Sequence, residues 1–161
     1  YAEYGNLRTL LFRGCSSSVG MSSCINALFL NCTNIETIGN NSGYFYFSSA
    51  VPTIRNLFRR CKKLRVIAVK PFYLSNVTFD SSVFSECNLL EYIRLERLHF
   101  SLSLADSSLI TKESVLYMIQ KASPTSAITI ILHSDAYSRL VDDADVVAAL
   151  EAQPLISLVS A

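Results

Sequence analysis

The sequence predicts an α/β solenoid: a right-handed coil with about six parallel strands on its concave face and short helices with extended segments on its convex face. The pattern F-x-x-C-x-x-[LI]-x-x-I occurs three times, beginning at Phe29, Phe58 and Phe84. Repeats at intervals of 29 and 26 residues are typical of units that bury an apolar face against their neighbours. Half of the 161 residues are hydrophobic and 17% are charged, which indicates a folded core and not a disordered chain.

The length predicts one domain covering residues 1–161. We expect residues 1–100 to contain regular repeats and residues 101–161 to contain variant repeats that act as a C-terminal cap. The chain starts at Tyr1 without the helical part of a first repeat, so we expect it to be the C-terminal part of a longer protein.

Charge and hydropathy argue against two classes of partner. The net charge of +1 lacks the basic excess typical of nucleic-acid binders. No apolar run approaches the ~20 residues of a membrane span, so no membrane insertion is predicted for this segment.

Each strand is predicted to begin at the apolar residue that follows the Cys position of the repeat. Their expected first residues are Leu7, Ile35, Leu64, Leu90, Ala127 and Leu155. Each of the three motif repeats is expected to place a short helix before its strand. The first is capped by Ser22 or Ser23, the second starts at Pro52, and the third is capped by Asp80 or Ser81.

The connections and the C-terminal elements are also predicted from local signals. Gly39–Gly43 is expected to be a loop, followed by a short aromatic strand at Tyr44–Phe47, and a similar strand is expected at Asn76–Phe79. A helix is predicted from an N-cap at Thr111 to Lys121. One long helix is then expected from Ser134 to about Gln153, where Pro154 ends it.

The five cysteines fall into two groups. Cys32, Cys61 and Cys87 occupy one position of the repeat and are expected to form a buried ladder of thiols. Cys15 and Cys24 lie outside the ladder, and in an oxidising compartment they are candidates for a disulfide. The sequence leaves open whether they are bridged.

Catalytic and metal motifs are missing from the sequence. There is no G-x-S-x-G, no H-E-x-x-H and no glycine-rich phosphate loop. His99 and His133 lack metal-ligand spacing, and the acids from Asp142 to Asp145 lack the glycine and distal glutamate of a calcium loop, so they are expected to mark a helix surface or a new helix start. We therefore expect a non-enzymatic protein with no catalytic residues, cofactor or metal.

A basic cluster surrounds the second repeat. Its members are Arg55, Arg59, Arg60, Lys62 and Lys63. The cluster is expected to be a solvated helix face, with cations near the negative end of the helix, and the alternative is a site for an anionic partner.

The period of two residues along a strand predicts which side chains lie on the exposed sheet face. If the apolar motif residues point inward, two columns point outward. The candidates for a binding face are Thr9, Thr37, Val66, Ala68, Tyr92, Arg94, Thr129 and Ile131. Tyr92 and Arg94 are the strongest of these, because tyrosine and arginine are enriched at the energetic centres of interfaces. The alternatives are that this face is merely solvated or that another segment covers it.

The F-x-x-C-x-x-L-x-x-I-x-L motif resembles the leucine-rich repeats of the BspA-like type. The resemblance covers Tyr4 to about Val69 and Phe84 to Leu95, and the segment Lys112–Leu140 is similar to the closing part of such proteins. It implies a bacterial cell-surface or secreted protein that binds a protein or a glycan, in adhesion or in host interaction. The alternatives are a structural spacer or cap without a ligand and an intracellular scaffold. The ligand and the oligomeric state stay open.

Overall fold

A computed structural model describes residues 9–11, 29–46, 53–73 and 77–161. In chain order the elements are β1 (Thr9–Leu11), β2 (Thr37–Tyr46), β3 (Thr53–Ile54), β4 (Val66–Tyr73), β5 (Thr78–Phe79), β6 (Tyr92–Glu96), β7 (Leu102–Leu104), α1 (Lys112–Lys121), β8 (Ile128–Leu132), α2 (Ser134–Leu140), α3 (Ala144–Glu151) and β9 (Ile156–Ser160). The strands form three parallel sheets with the orders β1-β2-β4-β6, β3-β5 and β7-β8-β9.

The predicted fold class, a coil with six strands in one concave sheet and short helices behind it, is wrong. The strands divide into three sheets, and the three helices in the described parts of the chain all lie between residues 112 and 151. The division occurs after β6. The chain next forms β7, which belongs to another sheet, and then begins α1 instead of adding a fifth strand to the first sheet. The N–H of Thr111 still donates to the carbonyl of Glu91 at 2.8 Å. Thr111 then caps α1 by accepting from the N–H of Ser114 at 3.3 Å, and a capped helix competes with strand formation.

The side chain of Ser114 closes the edge of the four-stranded sheet. Its hydroxyl donates to the carbonyl of Ile93 at 2.8 Å and accepts from the N–H of the same residue at 3.0 Å. Ser114 and Ile93 are both fully buried. One hydroxyl thus satisfies the backbone groups that a neighbouring strand would have paired, because buried backbone donors and acceptors need partners.

The short helices expected before Cys61 and Cys87 are turns, and the described end of the first repeat, from Phe29, is also a turn. The residue before each motif cysteine has a left-handed backbone: φ is 61° at Asn31, 63° at Arg60 and 61° at Glu86. A residue with positive φ leaves the right-handed helical path, so the chain turns at that point in every repeat. The turns also pair with one another, since the N–H of Arg60 donates to the carbonyl of Ser85 at 2.9 Å.

The apolar positions that the three repeats share lie in the core of the molecule and stack from one repeat to the next. Phe58 is fully buried between Phe29 and Phe84, with ring centroids 5.5 Å and 5.7 Å away. The thiol of Cys61 donates to the carbonyl of Phe29, and the thiol of Cys87 donates to that of Phe58, both at 3.0 Å. The predicted burial of the three motif cysteines is confirmed.

A further turn with the same spacing of buried residues was not predicted from the sequence. Leu104, Ser107 and Ile110 follow the same spacing as Phe84, Cys87 and Leu90, and their backbone hydrogen bonds repeat the pattern: Ser107 N–H to Leu104, and Ile110 N–H to Ser107. The hydroxyl of Ser107 donates to the carbonyl of Cys87 at 3.2 Å. Leu104, Ser107 and Ile110 are fully buried.

Two further predictions of secondary structure are wrong. β2 runs through the Gly39–Gly43 segment that was expected to be a loop. The pairing of β2 with β4 shifts in register between Gly39 and Tyr44, so the two strands are paired on both sides of this segment. The long helix expected from Ser134 is two helices, because Asp143 accepts hydrogen bonds from the N–H groups of Asp145 and Val146 and starts α3. The expectation of a new helix start among these acids is confirmed.

The remaining predictions divide into confirmed ones and ones outside the described residues. Helix α1 with its Thr111 cap, the strand at Phe79 and the last two strands are confirmed, with ends shifted by one or two residues. Cys15, Cys24 and the helix expected after Ser22 lie outside the described residues. In the described ranges no helix has the length and apolar character needed to cross a bilayer.

Candidate functional site

The outer face of β6 carries the two residues that the sequence favoured. Ile93 and Leu95 point inward and are fully buried, whereas Tyr92 is half-buried and Arg94 is exposed. The predicted alternation along this strand is therefore confirmed. Val66 lies beside Tyr92 in register on the neighbouring strand β4 and is also half-buried.

Arg94 lies against two tyrosine rings. Its Nε donates to the hydroxyl oxygen of Tyr92 at 2.7 Å, and its Cζ is 5.6 Å from the centroid of that ring. The ring of Tyr117, which projects from α1, is 5.4 Å from the same Cζ. Both distances lie within the range of a cation–π interaction, so two aromatic contacts and a hydrogen bond hold the guanidinium.

Tyr117 connects the arginine to a carboxylate. Its hydroxyl donates to Oε1 of Glu96 at 2.5 Å. Burial raises the pKa of Tyr117 well above its usual value, and the hydrogen bond to the negative Glu96 raises it further. Tyr117 therefore remains protonated and serves as a donor to Glu96. We call Tyr92, Arg94, Glu96 and Tyr117 the Tyr92–Arg94 patch.

The charge of Arg94 is not neutralised by a direct ion pair with any carboxylate of the described residues. The hydrogen bond to Tyr92 is the main cause that raises the pKa of Arg94, and the charge of Glu113 adds to it from a greater distance. The patch thus presents the cation of Arg94, held between two tyrosine rings, together with the carboxylate of Glu96, which is hydrogen-bonded to Tyr117. This arrangement suits recognition of a polar ligand better than it suits proton transfer, because the arginine remains charged at every physiological pH.

The basic cluster near the second repeat is arranged differently, since its arginines pair with acids one repeat further along the chain. Arg60 Nε is 2.9 Å from Glu86 Oε1, and Arg55 Nε is 3.6 Å from an Asp80 oxygen. Lys63 Nζ donates to Asn34 Oδ1 at 3.1 Å. These contacts link neighbouring repeats and leave the cluster less suited to an anionic partner.

The structure separates the eight residues predicted to form one face. Thr9, Thr37 and Val66 are consecutive partners across β1, β2 and β4, and Val66 pairs with Tyr92 as expected. Ala68 pairs with Gly39, but a register shift after Ile67 removes its expected pairing with Arg94.

Thr129 and Ile131 belong to a different sheet. Both lie on β8, where they pair with Ser157 and Val159 of β9 and not with β6. The Oγ atoms of Thr129 and Ser157 are 3.3 Å apart. The predicted face is therefore wrong as a continuous surface, because the sheet ends at β6.

Sequence reasoning missed Tyr117 and Glu96. Glu96 follows Arg94 by two residues on β6, so the period-two rule that selected Tyr92 and Arg94 also selects it once the strand is extended by one residue. Tyr117 carries no comparable signal, because its position depends on how α1 packs against β6, and the two elements are in contact.

A shallow groove of about 510 Å³ lies between α1 and α3, lined by Leu116, Asp145, Ala149 and neighbouring residues. In the described residues no three His, Cys, Asp or Glu side chains are grouped to bind a metal ion. His133 instead caps α2 by accepting from the N–H of Asp135 at 3.1 Å, and His99 Nδ1 lies 3.1 Å from the carbonyl of Arg97.

Comparison of the chain with protein-family models, with curated proteins and with solved structures finds no match.

Proposed function

We propose that the protein is a non-catalytic binding module and that the Tyr92–Arg94 patch is its recognition surface. The observation that carries this proposal is the placement of Arg94, which is held by Tyr92 and Tyr117 while its charge lacks an ion pair among the described carboxylates. Rigid aromatic residues around an arginine are typical of the energetic centre of an interface.

Two further considerations support the proposal. Fixing the arginine in advance lowers the conformational entropy that a partner must overcome on binding. The resemblance of the repeat motif to BspA-like proteins, which act at bacterial surfaces, agrees with recognition of an extracellular protein or glycan. We include a cell-surface or secreted location in this proposal.

The experiment that tests the proposal compares the chain with its Tyr92→Ala/Arg94→Ala variant on a panel of purified extracellular proteins and defined glycans. We expect the unmodified chain to bind at least one probe and the variant to bind it at least tenfold more weakly. The matched control is Thr129→Ala/Ser157→Ala, which removes two polar side chains from the other sheet. It should bind as the unmodified chain does.

Two results contradict the proposal. Equal binding by the Tyr92→Ala/Arg94→Ala variant would move recognition elsewhere on the molecule. Absence of binding to every probe would favour a structural spacer or cap. Circular dichroism of each variant checks that a loss of binding is not a loss of folding.

A further inference from the structure

We propose that the Tyr92–Arg94 patch binds a carboxylated sugar, whose carboxylate pairs with Arg94 and whose neighbouring hydroxyl groups donate to Glu96. This inference rests on the proposed function and names the ligand class of the same surface. It follows from the unused hydrogen-bonding capacity of the two charged side chains.

Arg94 has donors to spare for a carboxylate. Its hydrogen bond to Tyr92 uses Nε, and neither terminal nitrogen has an acceptor among the described residues. The two terminal nitrogens of a guanidinium match the spacing of the two oxygens of a carboxylate and bind them side by side. The rings of Tyr92 and Tyr117 restrict the orientation of the guanidinium, so a ligand meets these donors already placed.

Glu96 has an acceptor to spare for a hydroxyl group. Its Oε1 accepts from Tyr117, and its Oε2 has no donor among the described residues. A carboxylate accepts hydrogen bonds and donates none at neutral pH, so its complement on a ligand is an O–H or N–H group. The patch therefore offers one donor edge and one acceptor within the same cluster of side chains.

The negative charges near Arg94 disfavour ligands that carry several negative charges. Glu96 and the exposed Glu113 repel ligands with several adjacent charges, such as an acidic peptide or a heavily sulfated chain. The net charge of +1 gives no broad attraction that would compensate for this repulsion. A sugar acid carries one carboxylate per ring with hydroxyl groups beside it, and this pattern matches one cation next to one acceptor.

The test is titration calorimetry with the 161-residue chain and three tetrasaccharides that contain glucuronate, galacturonate or a terminal sialic acid. The matched ligand control for each is its carboxyl-reduced form, in which a neutral alcohol replaces the carboxylate. We expect at least one acidic probe to bind with a Kd on the order of 1 mM or tighter. Its reduced form should bind at least about tenfold more weakly, because a charge-assisted pair is lost.

Protein variants assign the binding to the patch. Arg94→Lys keeps the charge but loses the paired donors, and we expect about tenfold weaker binding of the acidic probe. Arg55→Lys makes the same change at an exposed arginine in the turn after β3 and should leave binding unchanged. Glu96→Gln should weaken binding of the acidic probe less than Arg94→Lys does, because one acceptor oxygen remains.

Several outcomes overturn the inference. They are the absence of binding to all three acidic probes, equal binding of an acidic probe and its reduced form, unchanged binding by Arg94→Lys, and tighter binding of a poly-glutamate peptide or a sulfated tetrasaccharide through Arg94. If the sugar acids fail while Tyr92→Ala/Arg94→Ala still abolishes binding of another probe, the ligand class is wrong and the proposed function stands.

Discussion

The repeats from Phe29 to Glu96 and the segment from Leu102 to Ser160 both place parallel strands side by side, but different contacts hold their units together. In the first region, turns hydrogen-bond to turns, phenylalanine rings stack and thiols donate to carbonyls of the preceding repeat. In the second region, helices with side-chain caps cover the strands: α2 packs against β9, and α1 packs against α3.

The difference follows from two positions, the residue before the motif cysteine and Thr111 at the start of α1. Where a residue with positive φ precedes the cysteine, the chain turns and the next described strand joins the four-stranded sheet. After Thr111 the side-chain cap and the residues that follow favour a helix, and the sheet ends. The buried serines at 107 and 114 mark this junction, because each donates to a carbonyl of the preceding repeats.

The largest expected effect comes from breaking the ring stack of the first region. Phe58→Ala removes a fully buried ring that touches two others, and we expect the free energy of unfolding to fall by about 3–5 kcal/mol. Urea unfolding followed by circular dichroism measures this. Phe58→Leu is the control and should cost about 1–1.5 kcal/mol, because most of the volume is kept. A loss below about 1 kcal/mol for Phe58→Ala would show that the stack does not hold the repeats.

The next effect sharpens the comparison at the junction itself. Ser114→Ala leaves the buried N–H and carbonyl of Ile93 without the hydroxyl that satisfies them, and we expect a loss of about 1–3 kcal/mol in the same measurement. Ser138→Ala is the control, since it makes the same change at an exposed position of α2 and should change stability by less than about 0.5 kcal/mol. Equal effects of the two changes would mean that Ser114 does not close the sheet edge.

A smaller, pH-dependent effect is expected in the second region. The hydrogen bond from Lys112 lowers the pKa of Asp143, so the folded state binds this proton more weakly than the unfolded state does. The resulting stability is fully present above about pH 4, the ordinary value of an aspartate, and is lost as the pH falls through the lower pKa of the folded state. Tm measured from pH 6 to pH 2.5 should therefore fall more steeply for the unmodified chain than for Asp143→Asn.

The control for that prediction is Asp142→Asn, which removes a neighbouring exposed carboxylate outside the Lys112 ion pair. Its Tm should follow the unmodified chain throughout the titration. The explanation fails if Asp143→Asn retains the full slope below pH 4.

The smallest expected effect belongs to the ion pairs between repeats. Arg65 Nη2 is 2.7 Å from Glu91 Oε1, but 59% of the arginine side chain is exposed, so solvent weakens the attraction. A double-mutant cycle with Arg65→Met and Glu91→Gln should give a coupling of about 0.2–1 kcal/mol that decreases in 1 M salt. A larger coupling, or one insensitive to salt, would mean that this pair contributes more to joining the repeats than an exposed ion pair does.

The sequence alone determined which residues are buried in the repeats and which lie on the outer face of β6. Successive side chains of a strand point to opposite faces, and burial of apolar side chains away from water is favourable. For the same reason Tyr92 and Arg94 were found by their register, and Thr111 was found as a cap by its local chemistry. Only the tertiary structure decided where one sheet ends and the next begins. That boundary depends on Ser114, whose hydroxyl satisfies the backbone of Ile93, and the candidate site depends on α1, which places Tyr117 against Arg94. Both contacts join residues more than 20 positions apart, and no local period encodes them.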